Sequence, residues 1–489
     1  MFRKSSSQLA AYINPRVVQA QYAVRGLIPM RADELKARLD AGETLPFKEL
    51  VYCNIGNPQA LQQQPLTFNR QVMSLVDSPT LLENDAIVAQ FPADVVARAK
   101  EYLKNINGMT GAYTDSIGYK WAREAIAQFI ARRDGTESPD SRNICLTDGA
   151  SSGVRLIMQL LIEGAKDGVL IPIPQYPLYT AQIALLGGAS AMYYLDEAKR
   201  WDLHVEDLLK CNASLAATGA TPRLLVVINP GNPTGQVLTK ETMEGVVRYC
   251  HDNDVMLLAD EVYQENIYGD RPFESFRKVV LGMPAPYNNT PCISLHSTSK
   301  GIIGECGRRG GYFEMLNVPK EQKEQLLKLC SINLCSNVNG QVMTALMCTP
   351  PAEGGESYAR FRDEYDGIFA SLKGRAEALA KELNGIEGIT CNAVDGAMYA
   401  FPQIRLPAKY VARNEDLNKS AGTKIAADAR WALELLEETG IVVVPGSGFL
   451  QQEGTFHFRT TILPPAEQMQ SMTSSIRAFQ TKINKNFAN

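Results

Sequence analysis

Between residues 143 and 315, short and nearly continuous apolar runs alternate with segments of helical period. The helical segments include SSGVRLIMQLLIEGA, LYTAQIALLGG and Lys240–Asp252, and the apolar runs that predict strands are RNICLTD, GVLIPIP, SAMYYLD, LLVVINP, VMLLAD, CISLHS and GGYFEML. Such alternation predicts an α/β fold with a mostly parallel sheet that helices cover on both faces. In such a sheet, binding groups collect where strands end and helices begin.

The C-terminal third has a different pattern. One long helix is predicted over Lys320–Met347, and the Pro/Gly-rich stretch PPAEGGES after it is the best candidate for a domain boundary. Beyond it the pattern predicts a smaller α+β domain, with helices at Tyr358–Leu383 and near Ala426–Thr439, strand-rich stretches AMYAFPQI, IVVVPGSGF and TFHFRTTIL, and a final helix. The predicted organisation is an N-terminal arm with part of the small domain at 1–90, a large domain at 91–350 and the small domain at 351–489.

Composition excludes several classes of function. The 489 residues carry a net charge of −4 and no basic stripe, so neither nucleic acid nor an anionic membrane is expected as a partner. Apolar runs such as LLVVI and IVVV are far shorter than the roughly 20 residues of a membrane helix. The ten cysteines lack C-x-x-C spacing and the four histidines are scattered, which predicts reduced thiols and no metal site.

The first thirty residues bear on the cellular compartment of the protein. They contain Arg3, Lys4, Arg16 and Arg25, with no acidic residue before Asp33. We interpret this segment as a basic arm of a cytoplasmic protein, and a mitochondrial presequence is the alternative.

The segment Asp148–Gly153 lies between a predicted strand and a predicted helix. The amides of Ala150, Ser151 and Ser152 would then be free at a helix N-terminus, which suits an anion such as a phosphate. A simple N-cap of small residues is the alternative. The segment matches neither the dinucleotide-binding fingerprint nor a Walker loop, so it favours neither of those functions.

Two further strand ends carry polar groups. NPGNPTG follows LLVVI, and its prolines and glycines form either a rigid turn alone or a turn that also positions the amide of Asn232. DEVYQ follows VMLLA, so Asp260 is either a helix cap or a buried counter-charge for a cation such as a protonated ring nitrogen. Tyr263 brings a phenol to the same region.

The stretch CISLHSTSKGIIGECGRRGGY raises the question of why a lysine should follow a buried strand and precede five glycines and paired arginines. A strand-end lysine such as Lys300 can form an imine with an aldehyde. Ser297 and Ser299 could donate to a phosphate, and Arg308 or Arg309 adds a fixed positive charge. If Lys300 is considered without its neighbours, the alternative interpretation is an ordinary solvated side chain.

One cofactor would use all of these groups. Pyridoxal 5′-phosphate offers an aldehyde to Lys300, a pyridine nitrogen to Asp260, and a phenolic oxygen to Asn232 and Tyr263. Its phosphate needs amides, hydroxyls and an arginine. The sequence therefore predicts a pyridoxal-phosphate enzyme with Lys300, Asp260 and Tyr263 as catalytic residues.

The motifs STSK, NPGNPTG, DEVY and GRRGGY, in this order and spacing, resemble the class I aminotransferases of fold type I. Further segments narrow the resemblance to the alanine-specific members of that class: YAVRG (22–26), NIGNPQALQQQPLTFNRQV (54–72), PQYPLYTA (174–181), SKGIIGECGRRGGY (299–312) and HFRTTILPP (457–465). The resemblance covers nearly the whole chain. It implies the exchange of L-alanine and 2-oxoglutarate for pyruvate and L-glutamate.

The resemblance also implies roles for individual residues. Lys300 would bond to the cofactor aldehyde and Asp260 would pair with the ring nitrogen. Arg459 would bind the substrate α-carboxylate, with Gly56 and Asn232 beside it. The remaining cofactor-binding residues implied are Tyr263 with Asn232 on the ring oxygen, Tyr176 stacked on the ring, Ala150, Ser151, Ser297, Ser299 and Arg309 on the phosphate, and Tyr113 on the phosphate of a partner subunit.

Three alternatives remain open at this level. In most class I members the phosphate arginine lies eight residues after the lysine, which would select Arg308, whereas counting back from Tyr312 selects Arg309, the residue we predict. Arg459 could instead be a strand-end arginine in a salt bridge. The rival activities are a glutamate:glyoxylate aminotransferase and, from another class, a lyase such as an aminocyclopropane-carboxylate synthase or a C–S lyase. For the aminotransferase that we predict, the partners would be small amino acids and 2-oxo acids, and the protein would be a homodimer with composite sites.

Overall fold

The fold is given by a computed structural model, which describes residues 13–20, 26–106 and 109–488. Most of the YAVRG segment, and the basic residues Arg3, Lys4 and Arg25, lie outside the described residues. Among those described, no helix combines the length and the apolar character needed to cross a membrane.

Seven strands form the central sheet, and their bounds follow the apolar runs of the sequence: β1 Ile144–Thr147, β2 Asp167–Ile173, β3 Ala189–Tyr194, β4 Thr221–Ile228, β5 Met256–Asp260, β6 Cys292–Ser297 and β7 Gly311–Leu316. Their order across the sheet is β3-β2-β4-β5-β6-β7-β1. Strands β3, β2, β4, β5 and β6 pair in parallel, and β7 runs antiparallel between β6 and β1. The predicted mostly parallel α/β fold is confirmed.

Both faces of the central strands of this sheet are buried, which explains why those strands are apolar at most positions. In β4, Leu224, Val226 and Ile228 belong to one hydrophobic cluster, which also contains residues of the helices Ala150–Leu161 and Leu178–Leu186. The alternate residues Leu225 and Val227 belong to a second cluster with three other helices, Val205–Ala217, Lys240–Asp252 and Phe276–Gly282. Side chains alternate across a strand, so a strand covered on both sides has no polar face.

The remaining elements lie around this sheet and in the C-terminal part. The other helices of the described residues are Pro15–Gln19, Leu27–Asp40, Thr67–Asp77, Asp85–Val88, Ala93–Asn105, Lys120–Asp134, Lys320–Ile332, Val338–Cys348, Tyr358–Asn384, Ala408–Ala421, Ala427–Thr439 and Ala466–Asn486. The short strands are Val51–Tyr52, Ile389–Thr390, Tyr399–Ala400, Gln403–Ile404, Ile441–Val442, Val444–Pro445 and Phe458–Thr461.

Residues from the N-terminal part of the chain pack against its C-terminal part. Val51–Tyr52 pairs in parallel with Ile441–Val442. The helix Leu27–Asp40 contributes to a hydrophobic cluster whose other members come mainly from residues 372–483, and that cluster reaches Tyr263 and Ile302 at the end of the large sheet. The segment around Gly56 is thereby carried to the same end of the sheet.

The single long helix predicted over Lys320–Met347 is wrong. The structure has two helices, Lys320–Ile332 and Val338–Cys348, separated by a turn in which Leu334 has a φ of 65°. The side chain of Asn337 caps the second helix by accepting from the amide of Gly340 at 2.8 Å. The apolar period continues through the turn, which is why the pattern did not show the break.

Candidate active site

Three neighbouring strands deliver the polar groups to one edge of the sheet. In the register of β4, β5 and β6, Ile228 pairs with Asp260, and Asp260 pairs with Leu295. The loops that leave these parallel strands therefore start side by side, and they carry Asn232, Asp260 and Lys300. The helix Ala150–Leu161 begins at the same edge, three residues after the end of β1.

A cavity of about 280 Å³ opens at this edge. Twelve residues singled out from the sequence line it: Gly56, Ala150, Ser151, Tyr176, Asn232, Asp260, Tyr263, Ser297, Ser299, Lys300, Arg309 and Arg459. Asp260 is the only acidic side chain among the described residues that line it, against the basic Lys300, Arg309 and Arg459. The cavity is therefore suited to anionic ligands.

Lys300 is half-buried in the turn that follows β6. Its amine donates a hydrogen bond to the carbonyl oxygen of Gly56, with 2.7 Å between Nζ and O. The space at Gly56 is tight, because a Cβ there would lie 2.3 Å from the hydroxyl oxygen of Tyr399 and 3.3 Å from Lys300 Nζ. A glycine at this position lets the backbone approach the amine.

Asp260 ends β5 with 6% of its surface exposed. The hydroxyl of Tyr179 donates to its Oδ2 at 2.5 Å, and the amide of Val262 donates to its Oδ1 at 3.4 Å. Burial raises the pKa of Asp260, while these two hydrogen bonds and the nearby charge of Lys300 act in the opposite direction. A bound cation beside the carboxylate would offset the cost of burying it.

The start of the helix Ala150–Leu161 faces the guanidinium of Arg309. Arg309 has a φ of 53°, and its Nη2 donates to the carbonyl oxygen of Asp148 at 2.9 Å and to Ser151 Oγ at 3.4 Å. The first amides of any helix lack partners within it. An arginine and free amides at one helix end form an anion site.

The paired arginines point in different directions. Arg309 lines the cavity, whereas Arg308 is not among its lining residues and has its Nε 3.8 Å from a carboxylate oxygen of Glu305. Glu305 itself pairs more closely with Arg70, with 2.7 Å between the nearest atoms. This placement favours Arg309 as the cationic group of the site.

Arg459 is 1% exposed, and no salt bridge involves it among the described residues. Its Nη1 donates to Asn232 Oδ1 at 3.0 Å, its Nη2 donates to the carbonyl oxygen of Asn54, and its Nε has no partner among the described residues. The strand-end salt bridge considered from the sequence is not present in the described residues. A buried guanidinium with a free N–H and no acidic neighbour is suited to a carboxylate ligand.

Two tyrosines close the side of the cavity next to Arg459. The rings of Tyr263 and Tyr399 meet edge to face, with 6.1 Å between their centroids. Burial raises the pKa of Tyr263 well above its ordinary value, and the neighbouring Tyr399 phenol adds to this shift. Tyr263 is therefore a neutral hydroxyl here, able to donate or accept a hydrogen bond.

Two predicted residues lie elsewhere. Ser152 does not line the cavity, because its amide donates to the carbonyl oxygen of Gly149 at 3.3 Å and its hydroxyl to that of Asp148 at 3.2 Å. Tyr113 is 78% exposed and also lies outside the cavity lining. An exposed aromatic residue is available to a neighbouring molecule, which is the setting the prediction for Tyr113 requires.

The sequence reasoning missed three residues that shape the site: Asn54, Tyr179 and Tyr399. Tyr179 is three positions after Tyr176, the spacing that returns to the same side of a helix, so its proximity could have been inferred. Tyr399 and Asn54 lie 60 and 405 positions from Arg459, which both contact, so their proximity to it depends on tertiary packing.

The comparisons with known proteins define the class. The family model of class I and II aminotransferases matches residues 82–476. The chain belongs to this family, whose members transfer amino groups between amino acids and 2-oxo acids, and its cofactor is pyridoxal 5′-phosphate. The predictions of class and cofactor are confirmed.

Individual relatives are similar over almost the full length. The chain is 50% identical over 477 residues to a probable mitochondrial alanine aminotransferase of Dictyostelium discoideum, covering 96% of this chain and 88% of that one. It is also 50% identical to alanine aminotransferase 2 of Panicum miliaceum, with 96% of each chain covered. Glutamate–glyoxylate aminotransferase 2 of Arabidopsis thaliana is 47% identical, over 97% of this chain and 96% of that one.

Among solved structures, an alanine aminotransferase from Pyrococcus furiosus has a TM-score of 0.75, with 24% identity, over 96% of this chain and all of that one. At this identity the likeness shows a shared fold.

The cavity fits the family's cofactor. Asp260 and Lys300 provide a buried carboxylate and an amine in one space, and Arg309 lies with the helix amides at its edge. The surplus of basic side chains requires negative charge, which the cofactor phosphate and a substrate carboxylate together supply. The side chains of the cavity thus match the charged parts of pyridoxal phosphate: Asp260 suits the protonated ring nitrogen, and Arg309 with the helix amides suits the phosphate.

Proposed function

We propose that this protein is an alanine aminotransferase, which converts L-alanine and 2-oxoglutarate to pyruvate and L-glutamate by a ping-pong route. The observation that carries the proposal is the buried guanidinium of Arg459, which has a free Nε–H in the same cavity as Lys300. That pair provides an α-carboxylate site beside an amine. The alanine aminotransferases that are 50% identical to this chain support the choice of alanine.

When bound, pyridoxal phosphate supplies an aldehyde carbon that bonds to amines and a protonated ring that accepts electrons from the Cα–H bond. We assign the proton transfer to Lys300, whose Nζ removes the proton from the substrate Cα once the amine is free. The carboxylate of Asp260 would pair with the ring nitrogen of the bound cofactor and favour its protonated form. Tyr179 holds that carboxylate in place through its hydrogen bond of 2.5 Å.

The other side chains bind and orient. Asn232 and Tyr263 would bind the ring oxygen of the cofactor, and Tyr176 would stack on the ring. Arg459 binds the α-carboxylate, with Gly56 closing over the substrate. The phosphate set is Ala150, Ser151, Ser297, Ser299 and Arg309, with Ser152 supporting the same helix end from outside the cavity.

We further propose that the active unit is a homodimer, in which Tyr113 of one subunit reaches the phosphate of the other. Its high exposure, outside the cavity of its own subunit, supports this arrangement. Mixing Tyr113→Phe chains with Lys300→Ala chains tests it, because a hybrid dimer would then hold one site free of both changes. Recovery of activity on mixing supports shared sites, and the absence of any recovery contradicts them.

For location we propose the cytosol. The described cysteines are all free thiols, as in a reducing compartment. Mitochondria are the alternative, and cell fractionation with an antibody to the native protein separates the two.

A panel of acceptors tests the proposed reaction. Purified enzyme is given L-alanine with 2-oxoglutarate, glyoxylate, oxaloacetate or no acceptor, and pyruvate is measured by coupled reduction, with Lys300→Ala as the control protein. The proposal predicts pyruvate formation that requires a 2-oxo acid and is fastest with 2-oxoglutarate. Faster transfer from glutamate to glyoxylate would favour the glutamate:glyoxylate alternative, and turnover without acceptor would indicate a lyase.

A further inference from the structure

Tyr399 is a cavity residue that neither the motifs nor the family assignment singles out. It lies in the short strand Tyr399–Ala400, is 3% exposed and lines the cavity. The guanidinium carbon of Arg459 lies over its ring, 4.2 Å from the ring centroid. Tyr399 therefore presents its aromatic face to the group that we assign to the substrate carboxylate.

Arg459 carries a buried positive charge, and its contact with the Tyr399 ring bears on how that charge is stabilised. A buried guanidinium without an acidic partner needs other groups to compensate its charge. Arg459 donates hydrogen bonds to uncharged oxygens of Asn232 and Asn54. Its Cζ also lies near two aromatic rings, 4.2 Å from the centroid of Tyr399 and 5.0 Å from that of Phe449. The negative face of an aromatic ring attracts a cation without neutralising it.

This arrangement leaves the charge available to a ligand. A carboxylate partner in place of the two rings would compete with the substrate for the guanidinium. The rings instead fix its plane and leave Nε–H unpaired. A bidentate arginine–carboxylate pair depends on such a fixed plane.

The hydroxyl of Tyr399 has a different neighbour from the ring, because it lies next to Gly56. A Cβ built on Gly56 would be 2.3 Å from the hydroxyl oxygen. Burial raises the pKa of Tyr399, but the positive charges of Lys300 and Arg459 outweigh it and bring the pKa below its ordinary value. Because the ring contacts Arg459 and the hydroxyl lies beside Gly56, substitutions can test the two groups of Tyr399 separately.

We propose that Tyr399 is a positioning residue of the substrate-carboxylate site, whose ring face holds Arg459 charged and oriented without an acidic partner. This inference rests on the proposed function, since it takes Arg459 as the carboxylate-binding group. It adds a residue from the small C-terminal strands to the determinants of substrate affinity. Phe449 is a second aromatic neighbour of the same guanidinium, at the longer distance of 5.0 Å.

The test measures the binding of propionate, which is alanine without its amino group, to the cofactor-loaded enzyme by isothermal titration calorimetry. Tyr399→Leu and Tyr399→Met remove the ring, and having both guards against one variant failing to fold. Tyr399→Phe keeps the ring and removes the hydroxyl. Tyr410→Leu removes another fully buried tyrosine from the same hydrophobic cluster, away from the cavity, and is the matched control.

We expect the ring-less variants to bind propionate about tenfold more weakly, which is the size of a desolvated cation–π contact. The Tyr399→Phe and Tyr410→Leu variants should bind within about twofold of the wild type. The KM values for alanine, glutamate and both 2-oxo acids should rise together in the ring-less variants, since all four share the α-carboxylate.

Three results would overturn the inference. Propionate binding equal to the wild type in a folded ring-less variant would show that the ring does not hold Arg459. An equal loss in Tyr399→Phe would assign the effect to the hydroxyl. If the wild type itself neither binds propionate nor uses alanine, the proposed function fails and the inference fails with it, whereas the first two results leave the proposed function intact.

Discussion

The amine of Lys300 donates a hydrogen bond to the carbonyl oxygen of Gly56, with 2.7 Å between the two atoms. These residues are 244 positions apart in the chain. Gly56 belongs to the segment that runs on from the strand paired with Ile441–Val442, so the contact joins the lysine of the large sheet to the N-terminal part of the chain. The position of the lysine amine therefore depends on both parts of the molecule.

Gly56→Ala should disturb this contact. The new Cβ would lie 2.3 Å from the hydroxyl oxygen of Tyr399, so the segment must shift and move the Gly56 carbonyl away from Lys300. We expect kcat/KM to fall by about 100-fold, as for a misplacement of about 1 Å in an active site. Steady-state kinetics with alanine measures the effect.

Two companion variants make this prediction specific. Gly164→Ala is the control, because a Cβ at Gly164 meets no atom within 4 Å. Adding Tyr399→Phe to Gly56→Ala removes the nearest clashing atom and should recover part of the activity. Wild-type kinetics in Gly56→Ala would contradict the close packing at this position.

Asp260→Asn should lower kcat by about 10²–10⁴-fold, because the ring nitrogen loses the carboxylate that keeps it protonated. Retention of the cofactor on dialysis should change far less, since the phosphate groups of the site are untouched. Absorbance of the dialysed protein and single-turnover kinetics check the two effects. Asp428→Asn, at another buried aspartate outside the cavity, is the control. Near-normal turnover in Asp260→Asn would show that Asp260 has no catalytic role, and that it only holds the turn after β5 through its contact with the Val262 amide.

The three arginines should separate by function. Arg309→Lys should weaken cofactor retention while keeping relative substrate preference, because its guanidinium lies at the helix N-terminus with Ser151. Arg459→Lys should raise KM for all four substrates and leave the cofactor absorbance nearly unchanged, because lysine cannot make a bidentate carboxylate pair. Arg308→Lys should do little of either. Loss of cofactor from Arg308→Lys with retention in Arg309→Lys would reverse the assignment.

Glu265, a half-buried residue whose Oε2 atom is buried, gives a pH prediction for stability. Burial raises its pKa from 4.5 to about 7, and the hydroxyl of Tyr365 acts against this shift. Between pH 4.5 and 7 the unfolded chain loses this proton while the folded protein keeps it, so Glu265 lowers stability as the pH rises through that window. The free energy of unfolding of Glu265→Gln, taken relative to that of the wild type, should therefore be higher at pH 8 than at pH 5. The expected difference is on the order of 2 kcal/mol.

Urea unfolding at the two pH values measures this difference, and Glu453→Gln at the surface is the control variant. A gain that is the same at pH 5 and pH 8 would show that the side chain of Glu265 does not titrate between them.

The central part of the site could be predicted because parallel strands place their carboxyl ends at one edge. Asn232, Asp260 and Lys300 each follow a buried apolar run, so their proximity follows from the order of strands and the hydrophobic pattern alone. In the glycine-rich stretch after Lys300, Gly310 and Gly311 lie close to neighbouring backbone, where a Cβ would clash.

The remainder depends on contacts that the local pattern does not encode. Tyr399 and Asn54 reach Arg459 through tertiary packing of distant segments, and the hydrophobic pattern around them gives no sign of that contact. The turn at Leu334 interrupts a continuous apolar period, and it is fixed by Asn337, whose amide donates to Asp148 Oδ1 at 2.7 Å across the fold. Ser152 was assigned a free amide, but the first helical turn already uses it.

The central claim is that Lys300 is the residue that bonds to the cofactor. Sodium borohydride treatment of the yellow, cofactor-loaded enzyme, followed by proteolysis and mass spectrometry, locates that bond directly. The account predicts a reduced pyridoxyl-phosphate adduct on the peptide that contains Lys300, and no such adduct on any peptide of the Lys300→Ala variant treated in the same way. An adduct on a different lysine of the wild type, with Lys300 unmodified, would contradict it.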